Sequence, residues 1–351
     1  MKNFKVLSNP KNIYNWMIRD ILDAKKEILL ETYIFDQDKI GLLFKKALIK
    51  RAKEGVKIKL LIDSWGSTAK KDFFSELIKL GAEVRYFREF KYLIRIIGEN
   101  HERNHRKLLI IDNKIVYIGS INITYSCISW RELALRIEGN IANSFEASFL
   151  KTWENNQKIS GKKFKDKLIL FKNFKILNEF PSLIHKITEN KYLKLISNAR
   201  NNIMIESPYF VPPLKIIQAL SSAVKRGVKV DIIVPYASDV LIVDLIRERY
   251  LGRLHKKGIN IHYYKKILHS KLMIVDDKYF LLGSSNLDFR SFNHQFEINF
   301  IGKDKNIITE LKKYYNQTLS NSFDFDYKKW SNRCSFLEII GLLLHSIRSY
   351  L

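Results

Sequence analysis

Two kinds of apolar spacing alternate along the chain. Residues 57–62 (KIKLLI) and 228–234 (VKVDIIV) are short runs rich in Ile, Leu and Val, the composition of a strand buried in a sheet. Residues 44–53 and 216–225 instead have helical spacing with one apolar face. Each is followed by a glycine, Gly55 or Gly227, where a helix C-terminus favours a residue free to turn left-handed. Strand, helix, strand, helix, strand predicts an α/β fold.

The pattern occurs twice. FKVL at 4–7 returns as FKIL at 174–177, and ILLE at 28–31, with Tyr33 after it, returns as IMIE at 203–206, with Tyr209 after it. Residues 47–63 parallel 219–235, and GAEVRY at 81–86 parallels GINIHY at 258–263, in unchanged order. The chain therefore reads as a duplication of a unit of roughly 170 residues. The expected domains are 1–165 and 166–330, connected through the Lys-rich stretch 158–167, with a C-terminal amphipathic helix at 331–351 that carries Phe336, Ile340, Leu343 and Leu344 on one face.

The chemistry lies late in each copy. His105, Lys107 and Asp112 form the pattern HxKxxxxD, and His269, Lys271 and Asp276 repeat it with identical spacing. Gly119-Ser120-Ile121-Asn122 follows the first and Gly283-Ser284-Ser285-Asn286 the second at the same distance, with Glu132 and Glu297 beyond. In an extended segment residues two apart face the same side, so His105 projects with Lys107 and His269 with Lys271. An apolar run then buries the strand, a turn at Asp112 or Asp276 reverses it, and the GSxN segment returns alongside. Each copy thus offers one His, one Lys and one Asn to a shared surface. One such pattern would be a weak signal. Two in register within a duplicated chain are a strong one.

On these residues the chain resembles the phospholipase D superfamily, whose mark is a duplicated HxKxxxxD motif followed by GSxN. The resemblance runs over about residues 4–330. Within that superfamily it is most similar to bacterial cardiolipin synthases of the short kind lacking N-terminal membrane spans. The segments that carry this are RNHRK at 103–107, WRE at 130–132, LRIEG at 135–139, SPYFVP at 207–212 and NLDFRS at 286–291. The resemblance implies two tandem phospholipase D-like α/β/α sandwich domains, related by pseudo-twofold symmetry, with one active site at their interface.

It also implies roles. Two imidazoles suit exchange at a phosphodiester because histidine titrates near neutrality. His105 is expected to attack phosphorus and form a phosphohistidine, with His269 as acid and base. Lys107, Lys271, Asn122 and Asn286 are expected to hold the phosphate oxygens, and Glu132 and Glu297 to orient the imidazoles. Ser120, Ser284 and Tyr209 are expected at the substrate. Asp112 and Asp276 join the catalytic set as members of the family motif, although their distance along the strand reads as a turn or ion-pair role. No cofactor and no metal are expected, because lysines supply the positive charge and neither HExxH nor a Cys-His ligand set occurs. The remaining histidines, His262 among them, read as surface or structural residues without partners.

Composition narrows the setting. The 351 residues are 46% apolar, enough for a sizeable core. With 61 Lys and Arg against 36 Asp and Glu, the net charge is +25, which favours anionic partners of any class. Cys127 and Cys334 form no disulfide framework. No apolar run has transmembrane length, and no signal-type N-terminus is visible. The expectation is peripheral association with the cytoplasmic face of a bacterial inner membrane, as a monomer, on phosphatidylglycerol and other anionic phospholipid, with no nucleic acid partner. Residues 88–104, where Phe90, Tyr92 and Ile94 mix with Lys91 and Arg95, read as a bilayer-facing loop. Residues 207–211 and the basic stretch 247–253 read as shaping the acceptor side. The same residues would serve a phospholipase D-type hydrolase or transferase on another phospholipid, or a nuclease cleaving nucleic-acid phosphodiesters.

Overall fold

A computed structural model of the chain describes residues 3–89, 102–156, 168–182 and 186–332. Most of the expected bilayer-facing loop, the boundary between the expected domains and nearly all of the expected C-terminal helix lie outside the described residues.

The first half supplies β1 (Phe4–Leu7), β2 (Glu27–Thr32), β3 (Lys57–Asp63), β4 (Glu83–Phe87), β5 (Arg103–Asn104), β6 (Leu108–Ile111), β7 (Ile115–Gly119) and β8 (Ala134–Glu138). Seven of these form a sheet ordered β1-β8-β7-β6-β2-β3-β4, parallel from β2 to β4 and antiparallel elsewhere. The second half supplies β9 (Leu168–Phe171), β10 (Phe174–Glu179), β11 (Asn202–Glu206), β12 (Phe210–Val211), β13 (Lys229–Pro235), β14 (Asn260–Tyr264), β15 (Leu272–Val275), β16 (Tyr279–Gly283), β17 (Leu287–Asp288), β18 (Gln295–Gly302) and β19 (Ser322–Asp324). Their sheet runs β19-β14-β13-β11-β15-β16-β18-β10-β9. Without its outermost strands β9 and β19, it repeats the first sheet strand for strand.

The helices lie where the spacing predicts. Lys39–Lys53 and Leu214–Lys225 each give way to a glycine of positive φ, Gly55 at 84° and Gly227 at 85°. The helix Lys39–Lys53 starts at Asp38, whose carboxylate accepts from the amides of Ile40 (2.9 Å) and Gly41 (3.0 Å). No helix among the described residues is long and apolar enough to cross a membrane.

Three layers of core follow. Helices Pro10–Asp23 and Lys39–Lys53 cover the outer face of the first sheet, and Ile187–Asn198 and Leu214–Lys225 that of the second. The inner faces share one core, in which Leu29, Leu108 and Ile110 join Leu272, Ile274 and Phe300. Helices Ile141–Glu154 and Lys305–Ser320 complete it with Phe145 and Leu311. Phe300 packs its ring 5.5 Å from Phe145, 5.1 Å from Phe174 and 5.4 Å from Phe280, so residues of both halves meet around one side chain.

Candidate active site

Strand pairing crosses between the halves at two places. β5, directly before His105, joins the other sheet in parallel with β18, Arg103 opposite Gln295 and Asn104 opposite Phe296. Leu268, directly before His269, bridges to Arg131. The His105 amide donates to the Phe296 carbonyl (3.0 Å) and the His269 amide to the Arg131 carbonyl (2.8 Å). Each motif histidine is therefore seated on backbone from the opposite half, immediately before that half's glutamate.

The side chains repeat the crossing. His105 Nδ1 lies 3.0 Å from Glu297 Oε1, and His269 Nδ1 lies 2.9 Å from Glu132 Oε1. The second oxygen of each glutamate accepts from a serine, Ser284 for Glu297 and Ser120 for Glu132. Each serine oxygen in turn accepts a backbone amide, from Ile298 or Leu133, both at 2.9 Å. Both glutamates are fully buried, so each His–Glu pair is fixed from behind by a serine.

With Nδ1 engaged, Nε2 is the remaining nitrogen of each ring. Both rings line one cavity of about 280 Å³, together with Asn122, Asn286 and Tyr209. Asn122 Oδ1 accepts the Ile34 amide (3.3 Å), and Asn286 Oδ1 has no partner among the described residues. Lys107 Nζ donates to the His105 carbonyl and Lys271 Nζ to the His269 carbonyl, each at 2.6 Å, and neither lysine is among the residues that line the cavity. The pseudo-twofold relation thus extends to the hydrogen bonds of the histidines, glutamates, serines and lysines, and breaks at the two asparagines.

Burial and crowded positive charge set the protonation states. Burial lowers the pKa of Lys107 to about 7, with Glu297 opposing, and that of Lys271 to about 8, with Glu132 opposing. His105 is pushed well below its ordinary value by burial, then by Lys107, Lys271, His269 and Arg290. His269 is lowered by burial while Glu132 works against the shift. Burial disfavours the Glu132 carboxylate, yet the charge and hydrogen bond of His269 hold its pKa below the ordinary range. Glu297 is raised to about 7 by burial, against Lys107 and Ser284. Both imidazoles are thus held toward the neutral form, His105 the more strongly, and Glu132 keeps its negative charge better than Glu297.

The sequence model of the family described as "Cardiolipin synthase, PLD-like domain" matches residues 17–166 and 192–319. The chain belongs to the cardiolipin synthase family of phospholipase D-like proteins. It is 31% identical over 352 residues to the major cardiolipin synthase ClsA of Bacillus subtilis (strain 168), covering 95% of this chain and 72% of that protein. It is 33% identical over 359 residues to a cardiolipin synthase of Clostridium perfringens (strain SM101 / Type A), covering 96% of this chain and 72% of that one. The fold is shared with the crystal structure of phosphatidylserine synthase from Haemophilus influenzae Rd KW20, at TM-score 0.78 and 15% identity over 99% of this chain and 95% of that chain.

Several expectations drawn from the phospholipase D-like motif need correction. Ser120 and Ser284 were expected at the substrate, but both are fully buried and their hydroxyls bind the glutamates. Asp112 and Asp276, included as members of the motif, lie outside the cavity lining and bind backbone amides. Asp112 accepts the amides of Lys25 (2.7 Å), Lys26 (2.7 Å) and Glu27 (3.0 Å), and Asp276 those of Arg200 (2.9 Å), Asn201 (2.7 Å) and Asn202 (3.1 Å). Each sits at positive φ in the hairpin turn and caps the entrance of β2 or β11, at the far end of the strand from its histidine. Within the basic stretch 247–253, Arg247 is buried against Asp244 (2.8 Å), whereas Arg253 is exposed. His262 has partners after all, Asp324 at 2.7 Å and Asp231 at 3.5 Å.

Other cavity residues were missed. Tyr33 meets His105 edge-on at 5.2 Å, and Trp130 meets His269 at 5.3 Å. Asp239, which accepts from Tyr209 OH (2.7 Å), and Asp288 and Arg290 also line the cavity. The repeat itself held a signal for Tyr33, which aligns with Tyr209. Asp239 had none, because it follows β13 far from either motif.

Proposed function

We propose that this protein is a phosphatidyltransferase that joins two phosphatidylglycerol molecules into cardiolipin and glycerol at the surface of an anionic membrane. The observation that carries this is the crossed pair of His–Glu contacts opening on a single cavity. His105, the ring held more strongly neutral, attacks phosphorus through Nε2. The bond from phosphorus to the headgroup glycerol breaks, and His269, its proton kept by Glu132, protonates the leaving alkoxide. His269 then takes the proton from the headgroup hydroxyl of a second phosphatidylglycerol, whose oxygen attacks phosphorus. The P–N bond breaks and cardiolipin leaves with both histidines restored.

Lys107, Lys271, Asn122 and Asn286 supply positive charge and N–H donors around the phosphate as negative charge gathers on its oxygens. Arg290 supports the choice of His105 as nucleophile, since its place in the first repeat is taken by Ser126 and the added positive charge acts on His105. The net charge of +25 suits a peripheral enzyme drawn to anionic lipid. Halves 1–165 and 166–330 of one chain complete one site, so a monomer suffices.

The test is incubation with headgroup- and acyl-labelled phosphatidylglycerol, followed by lipid chromatography. Cardiolipin with one released glycerol supports the proposal. Phosphatidic acid alone makes the protein a hydrolase, and inert lipid with nicked DNA makes it a nuclease. His105→Ala and His269→Ala are each expected to cut turnover by about four orders of magnitude, with the protein still folded.

A further inference from the structure

A second, larger cavity of about 820 Å³ opens on the second half, between the start of helix Leu214–Lys225 and the end of helix Leu241–His255. That volume lies within the range of pockets that take organic ligands, about 300–1,000 Å³. Val211, Pro212, Ile217, Leu254 and Phe289 give it an apolar lining, and Leu214 stands 66% exposed in its wall. Lys186, Lys215, Arg253, Lys256 and Lys257 surround that lining. Lys186 pairs with Glu189 (3.5 Å), the one carboxylate in the wall among the described residues. Lys215, Arg253, Lys256 and Lys257 have no ion pair among the described residues. All four are exposed, and cations around an apolar hollow are complementary to an anionic amphiphile.

The walls of the two cavities are linked through the backbone. Val211 lies in β12, which pairs with β17, and β17 ends at Asp288 in the catalytic cavity; Phe289, next in the chain, lines the second. Tyr209, two residues before Val211, lines the catalytic cavity as well. A lipid with its acyl chains on the apolar lining and its phosphate on the basic rim would have its headgroup beside the second repeat, the side of His269.

We propose that this cavity seats the acceptor, one anionic diacyl phospholipid whose headgroup hydroxyl is presented to the phosphorylated histidine. The inference rests on the reading of the chain as a phosphatidyltransferase. It assigns to Arg253, Lys257 and Leu214 a part in the choice between a lipid alcohol and water.

The test uses the full chain and dihexanoyl-phosphatidylglycerol below its micelle concentration. Native mass spectrometry of His105→Ala, which does not turn over, is expected to show two bound lipids, and one when Arg253→Glu and Lys257→Glu are added. In an otherwise wild-type chain the same two substitutions, or Leu214→Glu alone, should lower the ratio of cardiolipin to phosphatidic acid about tenfold while phosphatidylglycerol consumption changes less than about threefold. An unchanged lipid count, or a parallel fall of both products, overturns the proposal. Should the wild-type chain consume no phosphatidylglycerol, the functional reading fails, and the lipid count still decides whether the cavity is a lipid site.

Discussion

At the scale of single residues, the site is built against the preferences of its own groups. Two lysines and two histidines are buried together, and burial alone would neutralise all four. The lysines show the cost. A Lys107 pKa of about 7, against 10.5 for an ordinary lysine, means that the folded protein binds this proton less tightly than the unfolded chain. The resulting penalty is fully present below about pH 7 and fades as pH rises toward 10.5, where the unfolded chain also gives up the proton. Lys107→Met should therefore stabilise the protein by about 1–3 kcal/mol at pH 6 and by much less at pH 10, while cutting turnover by about two to three orders of magnitude. Chemical denaturation at the two pH values checks the first part; equal gains at both would refute the linkage. The same shifts set the rate profile. In the free enzyme the phosphate clamp loses charge as Lys107 and then Lys271 deprotonate, so kcat/KM should fall from about pH 7–8 upward. Lys107→Arg, which stays charged, should move that limb to higher pH even though its peak rate is lower.

At the scale of elements, the decisive feature is the exchange at the seam. β5 leaves its own half to pair with β18, and this places Glu297 rather than Glu132 against His105. Glu297→Gln should then disturb the Nδ1 signal of His105 and leave that of His269 near its original position, with Glu132→Gln doing the reverse. Nitrogen-15 NMR of histidine-labelled protein reads this directly, and a same-half pattern would contradict it. Each substitution should also lower turnover by about two to four orders of magnitude, as expected when an imidazole loses the carboxylate that orients it. This exchange also marks the limit of what the sequence could tell. The duplication, the α/β class and the grouping of His105, His269, Asn122 and Asn286 were legible because they depend on spacing within one repeat. Which glutamate serves which histidine was not, since the partners lie 192 and 137 residues apart. The serines were misplaced for a related reason. A hydroxyl beside the motif looks available for substrate until the glutamate packed behind it is known. The aspartates, by contrast, were readable as turn residues, because seven positions of extended chain carry a side chain far from its histidine.

At the scale of the whole molecule, the two copies of the repeat share a core. The inner faces of both sheets share one apolar core, in which Ile110 and Leu108 join Ile274 and Phe300, and buried Arg106 crosses the seam from Glu31 to Asn178 (2.9 Å). A half on its own would expose that face to water and would lack the glutamate that orients its histidine. Ordinary tandem domains with polar interfaces unfold in separate steps, whereas a shared core couples them. Differential scanning calorimetry should accordingly show one transition whose van't Hoff and calorimetric enthalpies agree, and Phe300→Ala should lower stability by about 3–5 kcal/mol while keeping that transition single. Two transitions, with Phe300→Ala moving one of them alone, would mean that the halves fold separately and that the seam, with the active site in it, closes afterwards.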